Sequence, residues 1–336
     1  MTDAPNAKVE AIRVNDSEAE MRLDRWFRVH FPDVGYTYLQ KLLRSGQVRV
    51  DSKRAQANDR LTAGAEIRVP FVVRQPKKEA TGLKAPLGVS KGDRDAIEAM
   101  ILFEDEHVLI LNKPFGIAVQ GGSGTQRHID GMLAGMADRF GGERPRLVHR
   151  LDRDTTGVLL VAKTREAAAR LGRTFQTRSA AKTYWGLVKG VPYPEQGKIE
   201  AALVKDAGPD GDDRVRKARP GEQDVAMHAT THYAVIDRVA RKAAWVSLKP
   251  VTGRQHQLRA HMHMIGHPIV GDNKYEGDQN MPAENMEMKL HLHARRLIIP
   301  HPKTDKKIDV SAPLPAHMLQ TWELLGLDPK RFEADE

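Results

Sequence analysis

The sequence predicts an α+β fold, a largely antiparallel sheet with helices set among its strands, preceded by a small α/β unit. Three observations lead there. After residue 96, strand-like and helix-like segments are mixed without a regular strand–helix–strand alternation. Hydrophobic residues make up 40% and charged residues 29% of the 336 positions, a globular balance with material for two domains. Between the two units lies a basic stretch with almost no apolar periodicity, broken by Pro76, Pro86, Gly82, Gly88 and Gly92. The domains expected are a flexible tail over 1–18, a compact basic unit over 19–73, a linker over 74–96 and a larger domain over 97–330.

The small unit reads as two helices and a few short strands. Leu23, Phe27, His30 and Phe31 recur at helical spacing, with Trp26 alongside, until Pro32-Asp33-Val34-Gly35 breaks the pattern. A second helix puts Leu39, Leu42 and Leu43 on one face and stops at Ser45-Gly46. Val48 and Val50, then Ile67 and Val69, alternate as strands. Between Arg22 and Arg60 nine Lys and Arg stand against four Asp. Arg22, Arg25, Lys41, Arg44, Arg49, Lys53 and Arg54 offer cations suited to a phosphate backbone, although a solvated basic face would look the same.

In the larger domain, Ile101–Phe103 and Val108–Leu111 read as a hairpin around Glu104-Asp105-Glu106. The glycines at 121, 122 and 124 could cradle a phosphate, but no Gly-Lys-Ser/Thr follows, so a strand-to-helix turn is the better reading. Val158–Ala162 is an apolar strand, Arg165–Arg178 a helix and Lys182–Lys189 a strand containing Tyr184. Residues 205–224 read as an exposed Gly-, Asp- and Arg-rich loop. Strands are expected around His232–Ile236 and Ala244–Leu248, and helices over Arg254–Ile265 and Pro315–Leu325.

The net charge of +9 favours a polyanionic partner, with nucleic acid the commonest. The chain has no cysteine, which removes disulfides, thiolate nucleophiles and Cys-ligated zinc and fits a reducing cytoplasm. No apolar run approaches the roughly 18 residues of a membrane span, and residues 1–20 carry no apolar signal core. A cytoplasmic monomer is expected.

Three polar elements can carry chemistry. Asp152 sits between Arg150 and Arg153 on a short loop before Thr155-Thr156-Gly157, Lys182 and Tyr184 share a strand, and Thr252–His261 holds Arg254. Each alone admits a structural reading: a turn-forming Asp, a cross-strand Tyr, an Arg at a helix start. Asp154, two residues from Asp152, raises acid–carboxylate glycosidase chemistry, but neighbours on a loop need not face one cleft. His263 and His267 have the i, i+4 spacing of a zinc pair, without the Glu of H-E-x-x-H or any Cys, so no metal site is expected.

Five motifs in order tie these elements together: Asn112–Gly116, His149–Gly157, Lys182–Tyr184, Thr252–His261 and Gly266–Tyr275, followed by His293–Leu297 and His301-Pro302. Across residues 100–310 they resemble the RluA-type pseudouridine synthases. In the small unit, Arg22–Trp26, Lys41–Asp51 and Leu61–Ile67 resemble an S4-type RNA-binding domain, with Ala65 where that family usually has Asp. The resemblance implies RNA as partner, no cofactor, and isomerisation of uridine. Asp152 would be the nucleophile, held ionised and oriented by Arg254. Tyr184 would stack on the target base and take the C5 proton, and Leu297 or a neighbour would supply an apolar wall. The target nucleotide must be flipped out of its RNA; Arg150, beside His149, would fill the space it leaves. Leu111–Gly124 and the small unit look most like the RluC type, which modifies large-subunit ribosomal RNA, with the RluD type next. Outside synthase chemistry, the alternatives are a non-catalytic RNA-binding or ribosome-assembly protein and a nucleoside hydrolase.

Overall fold

A computed structural model describes residues 9–31, 34–70, 91–121, 127–207, 213–275 and 282–332. The chain divides into two compact units, residues 1–85 and 86–336.

The first unit contains strands β1 (Val9–Arg13), β2 (Arg49–Val50), β3 (Lys53–Arg54) and β4 (Glu66–Pro70), and helices α1 (Leu23–His30) and α2 (Tyr36–Arg44). Its sheet has the order β1-β4-β2-β3. The helices bury Leu23, Trp26, Phe27, Leu39 and Leu42 against Val48, Ile67 and Val69. The tail expected over 1–18 is corrected here: residues 9–13 pair antiparallel with β4, and Ile12 and Val14 pack on the core. Glu18 joins them, accepting hydrogen bonds from Trp26 at 3.1 Å and pairing with His30 at 2.6 Å. The alternation in Val9-Glu10-Ala11-Ile12 is too short to read as a strand amid polar neighbours; its partner β4 lies more than fifty residues away in sequence.

The second unit is built on an eleven-stranded sheet. Its strands are β5 (Ile101–Glu104), β6 (Val108–Lys113), β7 (Arg146–Leu147), β8 (Thr156–Ala162), β9 (Ala181–Lys189), β10 (Gln196–Ala207), β11 (Asp213–Lys217), β12 (Met227–Val239), β13 (Ala243–Pro250), β14 (Leu292–Pro300) and β15 (Lys307–Ser311). The main path runs β11-β10-β12-β13-β9-β14-β8-β6-β5, with β15 beside β14 and β7 beside β8. Among the described residues every pairing of named strands in it is antiparallel except β14 with β8. The helices are α3 (Lys91–Ala99), α4 (Ile129–Ala134), α5 (Arg165–Gln176), α6 (Gln257–Met264) and α7 (Ala316–Leu325). Strand β8 is buried along its whole length: Leu159 and Val161 face the α3–α4 core, while Val158, Leu160 and Ala162 face α5. This mixed, mainly antiparallel architecture is the α+β class expected.

Two further expectations are corrected. Residues 205–224 are not one loop, because β10 and β11 form a hairpin there; the residues between them, 208–212, lie outside the described set. The linker is shorter than 74–96, since α3 begins at Lys91 and buries Ile97; residues 74–90 lie outside the described set. Gly122 and Gly124 of the glycine-rich turn also fall outside it. Among the described residues no helix is long and apolar enough to cross a membrane.

Candidate active site

The parallel contact of β8 with β14 needs a glycine. Gly157 has φ +104°, and a Cβ there would lie 2.2 Å from the Ala294 carbonyl oxygen. Beside it, the Thr156 hydroxyl meets His293 Nδ1 at 2.8 Å. The turn entering β8 carries Asp152, so its position is set by this junction. A second element fixes the turn from beneath. The fully buried Lys113 ammonium, at the end of β6, donates to the carbonyls of Pro114 (2.8 Å), Ile117 (2.9 Å) and Arg153 (2.8 Å). Arg153 returns a hydrogen bond to Gly116 O at 3.0 Å. Burial pushes the Lys113 pKa down to about 7, against the opposing pull of Asp154 and Asp152. Lys113 thus locks the Asn112–Gly116 segment to the aspartate turn.

Above the turn, α6 supplies the charge. Arg259 Nη1 lies 3.8 Å from Asp152 Oδ2, and His256 Nε2 lies 3.9 Å from Asp152 Oδ1. Arg259 is itself clamped by two hydrogen bonds to buried Asp272, at 2.7 and 2.6 Å, and its guanidinium lies 5.3 Å from the centre of the Tyr275 ring. Asp272 also accepts from the Lys274 and Tyr275 backbone N–H groups. A bidentate, buried guanidinium of this kind is a fixed charge rather than a roaming one. His256, at φ +51°, meets the Tyr275 hydroxyl at 3.2 Å; burial lowers its pKa, with Asp152 pulling the other way. Gln257 braces the loop before the helix: its amide oxygen accepts from Thr252 Oγ1 (2.7 Å) and Arg254 N–H (3.0 Å), and its NH2 donates to Thr230 O and Thr231 Oγ1.

Asp152 opens into a cavity of about 770 Å³ whose lining includes Tyr184, Lys182, Leu292, Arg254 and Phe175. A smaller one of about 320 Å³ lies on its other flank, bordered by Arg150, Arg153 and Lys274. Burial, then the negative field of Asp152, raises the Tyr184 pKa, so Tyr184 is held as a neutral phenol. The arrangement is a partly exposed carboxylate in a cleft, answered by a clamped guanidinium and a neutral imidazole and faced by an aromatic ring. It can attack or stabilise an electrophilic carbon brought to it.

The RNA pseudouridylate synthase profile matches residues 107–264, which span β6 through α6 and include Asp152, Tyr184, His256 and Arg259, while Asp272, Lys274, Tyr275 and Leu292 lie beyond it. The chain is 36% identical to the ribosomal large subunit pseudouridine synthase C of Vibrio cholerae, over 93% of this chain and 96% of that one. It is also 36% identical to the protein of that name in Escherichia coli, over 93% and 95%. Among solved structures, human RNA pseudouridylate synthase domain containing 4 aligns at 30% identity and a TM-score of 0.59, covering 70% of this chain and 97% of the other. The chain belongs to the RNA pseudouridylate synthase family. It is a pseudouridine synthase.

In this synthase Asp152, Tyr184, Arg254, Arg150 and His149 all line one cavity. Three expectations are corrected. The guanidinium beside Asp152 is that of Arg259, not Arg254. Arg254 lies in the turn ahead of α6, where Gln257 holds its N–H, and it directs Nε to His228 O at 3.1 Å. The helix begins at Gln257 rather than near Arg254. Leu297 is buried in the α5-side core with Val158, Leu160 and Leu171, further along β14 and opposite Lys182; Leu292 is the β14 side chain lining the cavity. His149 is partly committed, since its Nε2 accepts from Leu160 N–H at 2.8 Å and its ring stacks on Phe175.

Of the two histidines weighed as a zinc pair, His267 bonds through Nδ1 to Lys189 O and His263 packs near Tyr275. In the first unit, Arg25, Lys41, Arg44, Lys53 and Arg54 are exposed without an ion pair among the described residues. Arg22 pairs with Asp24 at 2.6 Å, and Arg49 is turned onto the Gly46 and Ser52 carbonyls. Sequence reasoning missed Arg259, His256, Gln257, Asp272 and Tyr275 as a network. Their signal lay inside the motifs Thr252–His261 and Gly266–Tyr275, where Arg259 stands five residues after Arg254.

Proposed function

We propose that this chain converts uridine to pseudouridine in large-subunit ribosomal RNA, with Asp152 as the nucleophile. The observation that carries the reading is the Asp152 carboxylate at the junction of β8 and β14, facing Tyr184 across the cavity and set against a guanidinium clamped by Asp272. The rRNA target is supported by the relatives aligned along nearly their whole length, which are named as ribosomal large subunit pseudouridine synthases.

The isomerisation breaks the N1–C1′ bond and forms C5–C1′; the proton lost from C5 is balanced by one gained at N1. No electrons leave or enter, so the reaction calls for no oxidant. Asp152 engages the ribose as the base leaves, and Arg259 holds the carboxylate in place with its charge answered. Tyr184 provides the stacking face for the detached uracil. Taking the C5 proton would require its phenolate, which burial and Asp152 both oppose, so the stacking role is the one assigned. Flipping the target costs a few kcal/mol of stacking and pairing. Arg150, exposed at the rim of both cavities, would enter the vacated space. The first unit acts as an S4-like RNA-docking module through Arg25, Lys41, Arg44, Lys53 and Arg54, which offset that cost at the phosphates.

Mapping pseudouridine across large-subunit rRNA from cells lacking this protein tests the reading. At least one site should revert to uridine and return on complementation; an unchanged map would assign the chain another RNA.

A further inference from the structure

The Asp152 cavity has two ends. At one, Asp152 is answered by Arg259 and His256 and faces Tyr184. At the other, where α5 ends and β9 begins, the lining is His149, Phe175, Arg178 and Lys182. None of the groups at this second end is used by the chemistry described above.

Three features there belong together. The His149 and Phe175 rings are stacked, with centroids 4.9 Å apart and planes 25° from parallel, and both are partly exposed to the cavity. The His149 ring is fixed by the Leu160 N–H, and burial, assisted by the charge of Lys182, keeps it neutral with a pKa of about 3. Lys182 is half-buried and has no ion pair among the described residues, and burial alone accounts for the lowering of its pKa. An ammonium held in that position recovers its desolvation cost when an anion enters. Fixed π-faces beside a cation match one nucleotide, a base to stack and a phosphate to neutralise. Lys182 and Tyr184 alternate on one side of β9, roughly 7 Å apart along the strand, so this end lies beside the place of the target base.

We propose that His149, Phe175, Arg178 and Lys182 form a second nucleotide subsite, which takes the residue next to the target uridine in the RNA strand. The proposal rests on the reading of the Asp152 end as the place of uridine isomerisation. It makes Phe175 the holder of the flanking base and Lys182 a contact to the RNA backbone, neither taking part in the chemical step.

The test uses the full chain and fluorescein-labelled pentaribonucleotides with a central uridine, each flanking position in turn made abasic. In the wild type, removing one of the two flanking bases should weaken binding by roughly tenfold. In Phe175→Leu that penalty should shrink to less than about twofold. Lys182→Met should weaken every oligonucleotide and flatten the slope of log affinity against log salt by about 0.7, the value for one phosphate of a single strand. Lys182→Met keeps the test available should Phe175→Leu fail to fold. A wild type indifferent to both abasic positions, an undiminished penalty in folded Phe175→Leu, or an unchanged salt slope in Lys182→Met would overturn the subsite. Pseudouridine formation by wild type on a large-subunit rRNA transcript is scored separately. Its absence would overturn the functional reading, whereas lost coupling with formation intact overturns the subsite alone.

Discussion

At the scale of single residues, the site turns on which arginine serves Asp152. Arg254 and Arg259 are five positions apart, yet one lies in a turn with its Nε on a backbone carbonyl and the other is buried and bidentate on Asp272. Lysine at position 259 would keep the charge but lose the two-pronged grip. Arg259→Lys should therefore cost about 100-fold in turnover, the scale of losing one preorganised charged donor, while Arg254→Lys costs less than about tenfold. Single-turnover rates for the two variants, with melting curves to confirm folding, check this; equal losses would contradict the assignment. The aspartate itself was legible in the sequence because its neighbours form a dense local pattern. Its partner was not, because the approach of Arg259 depends on Asp272, thirteen residues on, and on where α6 begins. Spacing alone does not give that starting point: His256 adopts a left-handed backbone that delays the helix to Gln257.

At the scale of elements, the β8–β14 junction holds the turn that carries Asp152. The parallel pairing brings the Ala294 carbonyl to where a side chain at 157 would be, and the glycine's positive φ is unfavourable for any other residue. Gly157→Ala should destabilise the second unit by about 3 kcal/mol and lower activity, since either strand must shift. Denaturant melts measure it, and a change below about 1 kcal/mol would show that the junction yields easily. Strands with short continuous apolar runs, such as β6, β8, β9 and β13, were readable from the sequence. Strand β1 and the β10–β11 hairpin were not, because short or polar strands owe their existence to partners that composition does not reveal. Leu297 illustrates the same limit within a strand. It belongs to the same β14 as Leu292, but its place along the strand under α5 puts it in the core.

At the scale of the molecule, the second unit stores neutral histidines in its interior. His261, His291 and His293 are buried, and burial pushes each down to about 4. In the unfolded chain they protonate near the ordinary value of about 6.5. As pH falls through that value the unfolded state gains protons that the folded state refuses, so the stability present above 6.5 drains away toward 4. Between pH 7 and pH 5 the loss should be on the order of 1–2 kcal/mol for each histidine. Denaturant midpoints at the two pH values check it: a lower midpoint at pH 5 is expected, and equal midpoints would contradict the burial of neutral rings.

The two-unit organisation and the excess of cations were visible in composition. The boundary, at 85/86 by contacts, was displaced from residue 96 because α3 continues the basic stretch as a helix. The account as a whole stands on Asp152 as the attacking group in an RNA-binding synthase. The most direct measurement is pseudouridine formation and RNA affinity of Asp152→Asn beside the wild type, on a large-subunit rRNA transcript. Affinity should stay within about threefold, while pseudouridine formation falls by at least the 10⁴-fold scale seen when a catalytic group is removed. An asparagine variant that forms pseudouridine at the parental rate would contradict the account.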